Sequence, residues 1–352
     1  MPEKPSANLR AIATMADVSP MTVSRVLRNS PRVTTETRER VLAATAKLDY
    51  QPDPHLSRMM HLVRGRKAKA ERGVIALIRE HVPRDVLHDP AYQYVDFTDI
   101  ERRAAQHGYR AEEFWLGRNN LTARRLTSIL QARGIEGIIV SPQSSKLLCA
   151  GIDYSCFASV AIARGLPDPP LHRAMADMML GIQTATVELT RRGYRRIGLA
   201  ITRWIDDRSH NFYSGAMLHF QQSLPPRQRV PLLLFPHNDI ASCRDIFTAW
   251  MKKHRPDALI SFDTHVPGWL KQLRLRFPED IGFVAHDWNP KSHGLAGISH
   301  RRDQTAAAAV DLLATQLLHN ERGIPAVPRQ IMITPEWVEG ASVRKIVHFG
   351  AK

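Results

Sequence analysis

Ser19, Thr22, Arg25 and Arg28 follow one another at intervals of three in the stretch VSPMTVSRVLRNSPR, and Arg32 extends the series by four. On a helix that starts at Ser19, residues three apart are neighbours, as Thr22 and Arg25 or Arg25 and Arg28 would be, while Arg32 falls in the following loop NSPRV. Two hydroxyls and three guanidiniums so arranged suit phosphate oxygens, and a guanidinium also makes two parallel bonds to the edge of guanine. Arg25 is the candidate for such a base contact. Pro20 and Met21 offer only apolar contact, for example to a thymine methyl. Ser19, Thr22, Arg28 and Arg32 suit phosphates, which fix position without reading sequence.

These side chains need a rigid support, and the flanking residues supply one. Leu9, Ile12, Ala13 and Ala16 repeat at helical spacing, and Asp17 follows where a short polar side chain tolerates a turn. Ser19 is placed to cap a second helix with Pro20 at its first position, where a missing amide donor costs nothing. Val23, Val26 and Leu27 form its inner face. Thr34 is placed to cap a third helix in which Arg38, Val41, Leu42, Thr45 and Leu48 close the small core. Two short helices joined by so tight a turn predict a helix-turn-helix, whose second helix enters the major groove of DNA.

The chain as a whole is strongly basic, with 352 residues, a net charge of +15 and a pI near 10.2. Residues 1 to 72 hold fourteen Lys and Arg against seven Asp and Glu. Nearly half of the excess charge therefore sits in about a fifth of the chain, which favours a polyanionic partner for that end. With 43% apolar residues, the chain is long enough for two or three domains, so a single small module is excluded. The first twenty residues lack a signal-peptide core and no later run is long enough to span a membrane, so a cytoplasmic protein without membrane contact is expected. Cys149, Cys156 and Cys243 form neither a CxxC pair nor a zinc-like array. The sequence contains no G-x-S-x-G elbow, no H-E-x-x-H and no Walker segment, so no catalytic site, metal or cofactor is implied.

The segment LRAIATMADVSPMTVSRVLRNSPRVTTETRERVLAATAKLDYQPDPHLSRMM resembles the DNA-binding head of the lactose-repressor and purine-repressor family of bacterial regulators. The match takes in the VSxxTVSRVLxN and VTxxTRxRV segments and the Y-x-P that opens a hinge. The resemblance implies that Pro20, Met21 and Arg25 read bases, while Ser19, Thr22, Ser24 and Thr34 contact the DNA backbone or cap helices. It also implies a hinge helix after Asp53-Pro54, paired with that of a second copy in the minor groove. Met59 stands at the position of the family's apolar wedge, and Leu56 where an alanine is usual. The basic stretch RGRKAKAERG that follows reads equally as a nonspecific phosphate contact or as a soluble linker.

Beyond residue 73 short apolar runs alternate with helical patterns. Strands are expected at VIALI from Val74, EGIIVS from Glu136, FASVAI from Phe157, RIGLAI from Arg196, PLLLF from Pro231, ALISF from Ala258 and IGFVAH from Ile281. Helices are expected around Tyr94 to His107, Leu121 to Arg133, Met178 to Arg192 and Asp303 to His319. The alternation predicts parallel sheets covered by helices on both faces, and the length predicts two lobes. From Gly73 to Arg344 the sequence is similar to the same family's effector-binding core, which is like a periplasmic sugar-binding protein. The landmarks are ARGIEGIIVSP, ADMMLGIQTATVELTRRGYRRIGLAI, PEDIGFVAHDWNP and ITPEWVEGASVR.

That resemblance implies an effector between the lobes. Asp287 falls on a recurrent effector-binding acid, Trp288 replaces a usual second acid, and Asp177 matches a shared acid at a helix start. Phe212 stands where many members carry an arginine, which leaves Arg208 or Asn211 to compensate. Tyr94, with Tyr92 and Gln93, is expected to face the cleft. The expected fold class is thus α/β: an N-terminal helix-turn-helix head and hinge, then a two-lobed periplasmic-binding-protein-like effector domain with parallel sheets. The divisions fall at 1–51 for the head, 52–72 for hinge and linker, 73–344 for the effector and dimerisation domain, and 345–352 for a tail. The expected function is a homodimeric, sequence-specific repressor that binds double-stranded DNA at a near-palindromic operator and is controlled by a small molecule, by resemblance a sugar or sugar derivative. An activating or effector-independent regulator is the first alternative, and an enzyme fused to a DNA-binding head the second.

Overall fold

The structure is a computed structural model that describes residues 9–27, 33–48, 50, 73–80, 94–142, 151–164, 169–236, 240–292 and 294–346. Three helices form the head: α1 (Leu9–Met15), α2 (Pro20–Leu27) and α3 (Thr35–Lys47). Their start signals act as the sequence predicts. The hydroxyl of Ser19 accepts from the amide of Thr22 at 3.1 Å, and that of Thr34 accepts from the amide of Thr37 at 3.4 Å. Asp17 takes the left-handed conformation that turns α1 into α2, with φ of 51°. Ile12, Ala13, Ala16, Val23, Val26, Val41 and Ala44 make the buried core, and Tyr50 packs against it. Leu42, expected in this core, is 50% exposed. Only one side of so short a helix faces its neighbours, and Val41 and Ala44 occupy that side.

The body contains two six-stranded sheets. The first lobe is built from β1 (Val74–Glu80), α4 (Phe97–Gln106), β2 (Arg110–Leu116), α5 (Ala123–Ala132), β3 (Gly137–Val140), β4 (Ala158–Ile162) and β5 (His172–Ala176). The chain then enters the second lobe through α6 (Met178–Arg191), β6 (Ile197–Thr202), α7 (Arg203–Arg208), α8 (Phe212–Gln222), β7 (Leu233–Phe235) and α9 (Ile240–His254). That lobe continues with β8 (Ala258–Ser261), α10 (Val266–Gln272), β9 (Gly282–Ala285) and β10 (Ala296–Ser299). The chain returns with α11 (Arg302–His319) and β11 (Gln330–Ile333), and crosses once more to β12 (Glu336–Val338).

Strand order is β11-β5-β4-β3-β1-β2 in the first lobe and β12-β10-β9-β8-β6-β7 in the second. Every pairing in the first sheet is parallel. The second departs from the all-parallel expectation at one edge, where β12 runs antiparallel to β10. Each sheet is sandwiched between two apolar layers. Ile75, Leu77, Ile139 and Val160 pack toward α4 and α11 on one side of the first sheet, while Ile78, Ile138 and Val140 pack toward α5 on the other. In the second lobe, Leu199, Ile201 and Val284 pack with residues of α6 and α8, and Leu259 and Phe283 with residues of α9 and α10.

All seven expected strands form. The expected helix from Tyr94 begins only at Phe97, after a bend at Val95 and an extended cap residue, Asp96, with Tyr94 and Val95 buried ahead of it. Strands β2, β5, β10, β11 and β12 and helices α7 to α10 lie outside the sequence expectations. Among the described residues, no helix is long and apolar enough to cross a membrane.

Candidate functional site

Two surfaces carry candidate chemistry. The first is the outer face of α2. Ser19, Pro20, Met21 and Arg25 are exposed, Thr22 and Ser24 half-exposed, and Met21 shows 63% of its surface. The Ser19 and Thr22 hydroxyls are hydrogen-bonded to each other at 2.9 Å beside the first turn of the helix. Positive partial charge at a helix N-terminus and a guanidinium one turn along are suited to a phosphate and a base edge. Thr34 presents its exposed hydroxyl as the cap of α3. Arg28, Arg32, Leu56 and Met59 lie outside the described residues.

The second surface is a cleft of about 480 Å³, its open mouth included, lined from both lobes. Tyr94, Pro142, Ala163 and Arg164 come from the first lobe. Met178, Trp204, Ile205, Arg208, Ser209, Tyr213, Phe262 and His300 come from the second lobe and the crossovers. Pro142, Arg164, Trp204 and Phe262 follow the carboxyl ends of β3, β4, β6 and β8, which is where open parallel sheets generally hold ligands. The ring of Tyr213 meets that of Phe262 edge-on at 6.0 Å, and the guanidinium of Arg208 lies 4.0 Å over the ring of Trp204.

The site residues expected from sequence divide into three groups. Tyr94 and Arg208 line the cleft. Phe212 stands beside it with Arg164 stacked 4.5 Å over its ring, while Asn211 is exposed and begins α8 with a positive φ of 60°. Asp287 and Trp288 sit behind the wall. The carboxylate of Asp287 is ion-paired with Arg302, whose guanidinium lies 4.9 Å over the ring of Tyr94. The indole N–H of Trp288 donates to the Leu295 carbonyl at 3.1 Å, so this side chain braces β10. Asp177 caps α6, accepting from the amide of Leu180 at 2.9 Å. Tyr92 and Gln93 lie outside the described residues. Arg164, Trp204, Phe262 and His300 were not singled out from sequence. A window from the last residue of each expected strand to three residues beyond it takes in the first three.

His300, in the cleft wall, and His286 behind it are hydrogen-bonded through ring nitrogens at 3.3 Å, and both are 1% exposed. Burial, reinforced by the positive charge of Arg302, holds the imidazole of His300 down to about 3, and burial likewise keeps His286 well below its ordinary value. In the unfolded chain such an imidazole titrates near 6.5. As pH falls from there toward 3, the unfolded form takes up protons that the native form refuses, so stability is lost through that window. The melting temperature is therefore expected to fall as pH is lowered from 7 to 4, and less steeply in His300→Gln. Thermal unfolding at stepped pH checks this; identical slopes would contradict it.

A helix-turn-helix head on a two-lobed, periplasmic-binding-protein-like body with a cleft between its sheets defines a DNA-binding transcription regulator. The sequence model of bacterial regulatory proteins of the lacI family matches residues 8–53, and that of a periplasmic binding protein-like domain matches residues 186–343. The head is thus similar to that of the lacI family, a group of DNA-binding regulators. The HTH-type transcriptional repressor PurR of Shigella sonnei (strain Ss046) is 23% identical over 355 residues, covering 96% of this chain and 97% of that protein. Catabolite control protein B of Bacillus subtilis (strain 168) is 26% identical over 200 residues, covering 57% of this chain and 60% of that protein. Among solved structures, the lac repressor dimer bound to operator and the anti-inducer ONPF matches with a TM-score of 0.55 at 19% identity, covering 97% of this chain and 100% of that one. At that identity the likeness speaks for the fold.

Proposed function

We propose that the chain is a homodimeric, cytoplasmic repressor whose paired heads read a near-palindromic operator and whose operator affinity is set by a small molecule held between the lobes. The observation that carries this reading is the exposed outer face of α2, with Arg25 one turn beyond the capped N-terminus. Arg25 takes a guanine edge, with Pro20 and Met21 in apolar contact beside it. Ser19, Thr22, Ser24, Arg28, Arg32 and Thr34 hold the DNA backbone, and Leu56 and Met59 enter the minor groove. The head spans 1–51, hinge and linker 52–72, the body 73–344 and the tail 345–352. A PurR relative that is a repressor, and a lac repressor dimer on operator in the matched structure, support this reading.

Ligand capture between the lobes rotates the lobe nearest the heads and alters the separation of the two hinges. A molecule that binds both arrangements equally shifts nothing. Selection from random duplexes, followed by titration against the selected and single-mismatch sites, tests the reader. Arg25→Ala is expected to reduce discrimination at one base position by about 1–3 kcal/mol. An equal loss on every sequence assigns Arg25 to phosphate, and a native chain with no sequence preference overturns the proposed function.

A further inference from the structure

Beside the cleft, the guanidinium of Arg164 and the ring of Phe212, 4.5 Å apart, belong to different lobes. Arg164 follows β4 of the first lobe, whereas Phe212 is the first residue of α8 in the second, its ring packed against that lobe's core. Both ends of the contact are fixed by turns in left-handed backbone. Ala163 has a φ of 54°, its amide donates to the Ala174 carbonyl at 2.8 Å, and its carbonyl accepts from the guanidinium of Arg173. Beyond this turn the Arg164 side chain reaches the other lobe, its Nη2 donating to Oε1 of Gln330 of β11 at 3.0 Å. Phe212 is preceded by His210 and Asn211, with φ of 58° and 60°. Buried Asp206 of α7 pins that turn, its carbonyl accepting from the amide of Asn211 at 2.9 Å and its carboxylate from the amide of Ser214 at 3.0 Å. Non-glycine residues adopt such backbone only where the surrounding structure imposes it.

Burial lowers the Arg164 pKa, and a cation that has lost water gains more from a ring face than an exposed one. The imidazole of His210 is lowered by burial and then by the charges of Arg164 and Arg173, so at neutral pH it adds no positive charge beside the contact. A hinge opening moves the end of β4 away from the start of α8 and breaks the stacking. An interaction made in one arrangement and lost in the other shifts the population between them, as a bound ligand does.

We propose that Arg164 and Phe212 form a clasp that holds the lobes closed before any small molecule arrives. This rests on the lobes changing their separation, as proposed above. The clasp weights the closed arrangement over the open one by about two- to thirtyfold, the range that a cation–π contact supports. A molecule entering the cleft therefore meets a protein already biased. It needs less differential affinity to complete closure and more to reverse it.

The test needs neither ligand nor DNA. The full-length chain is treated with phenylglyoxal at low conversion, and peptide mass spectrometry follows Arg164 against Arg125, an exposed residue of α5. Arg164 is expected to react about tenfold more slowly than Arg125 or slower still, because only the opened form presents it. Phe212→Leu is expected to speed the reaction of Arg164 about two- to thirtyfold and to enlarge the radius of gyration in small-angle scattering. Phe212→Tyr keeps a ring and is expected to leave both as they are. If Phe212→Leu loses its native circular dichroism, Arg164→Met takes its place and is expected to enlarge the particle likewise. The inference is overturned if Arg164 reacts as fast as Arg125, if the substituted chain scatters as the native one does, or if Phe212→Tyr behaves like Phe212→Leu. Duplex selection on the same preparation separates the two readings. A chain that selects DNA while its lobes ignore these substitutions removes the clasp alone, whereas one that selects no DNA removes the regulatory function.

Discussion

Asp287→Ala is expected to lower the free energy of unfolding by about 3–5 kcal/mol, the cost of stranding the second charge of a buried pair. Asp287 has only 12% of its side chain exposed and Arg302 20%, and the two are ion-paired. Burial pushes the Asp287 carboxyl above its ordinary range even with Arg302 beside it, so desolvation outweighs attraction and the pair adds little net stability. Losing one member is different, because the remaining guanidinium stays buried under Tyr94 without its counter-charge. Asp287→Ala combined with Arg302→Met should therefore regain most of the loss. Denaturant unfolding of both single variants and the double variant measures the coupling. A single-variant loss under about 1 kcal/mol would mean that water or a nearby group solvates Arg302. A drop in ligand affinity in Asp287→Ala thus needs to be read beside its stability, since the carboxylate supports the wall from behind.

The second large effect is expected at Gly340. A methyl group there would lie 2.1 Å from the amide nitrogen of Ala296 and 2.2 Å from the carbonyl carbon of Leu295, both main-chain atoms that have no rotamer to move. The surrounding turn is tied down. The amide of Ala341 donates to the Gly294 carbonyl at 2.7 Å, and the Ser342 hydroxyl accepts from the amide of Ala296 at 2.8 Å while donating to the Phe283 carbonyl at 2.7 Å. Gly340→Ala is expected to cost about 3 kcal/mol, at the upper end of overpacking effects. Gly268→Ala is the control. It lies in α10 with nothing within 4 Å of the added methyl, and is expected to be neutral or to stabilise by up to about 1 kcal/mol through helix propensity. Comparable losses in both variants would show that backbone proximity is not the cause at Gly340.

The head was legible in the sequence because its determinants are local. Ser19 and Thr34 cap the helices that directly follow them, and Asp17 turns the chain between its immediate neighbours. The strands of the body that sequence reading found are the uninterrupted apolar runs. Those it missed carry polar residues whose burial depends on distant partners. In β5, His172 accepts from the amide of Arg329 at 2.9 Å and Arg173 donates to the Ala163 carbonyl. In β2, Glu113 pairs with Arg79 of β1 at 2.6 Å, and Glu112 with Arg133 at 2.8 Å. The edge strand β11 is largely exposed, so no alternation marks it. The cleft was legible as a location, and Tyr94 and Arg208 were placed on it. Asp287 and Trp288 are close to it in sequence position, yet their side chains are engaged by Arg302 and Leu295, contacts that no local pattern encodes.

The polypeptide passes between the lobes three times, at Asp177, at His300–Arg301 and between β11 and β12, and the amide of Asp177 donates to the Ile333 carbonyl at 2.9 Å, tying two of these passages together. Three short parallel tethers resist sliding and leave bending as the soft coordinate, in the manner of a leaf spring. Severing one of them by a protease would leave the halves joined by the other two, with the pivot still defined.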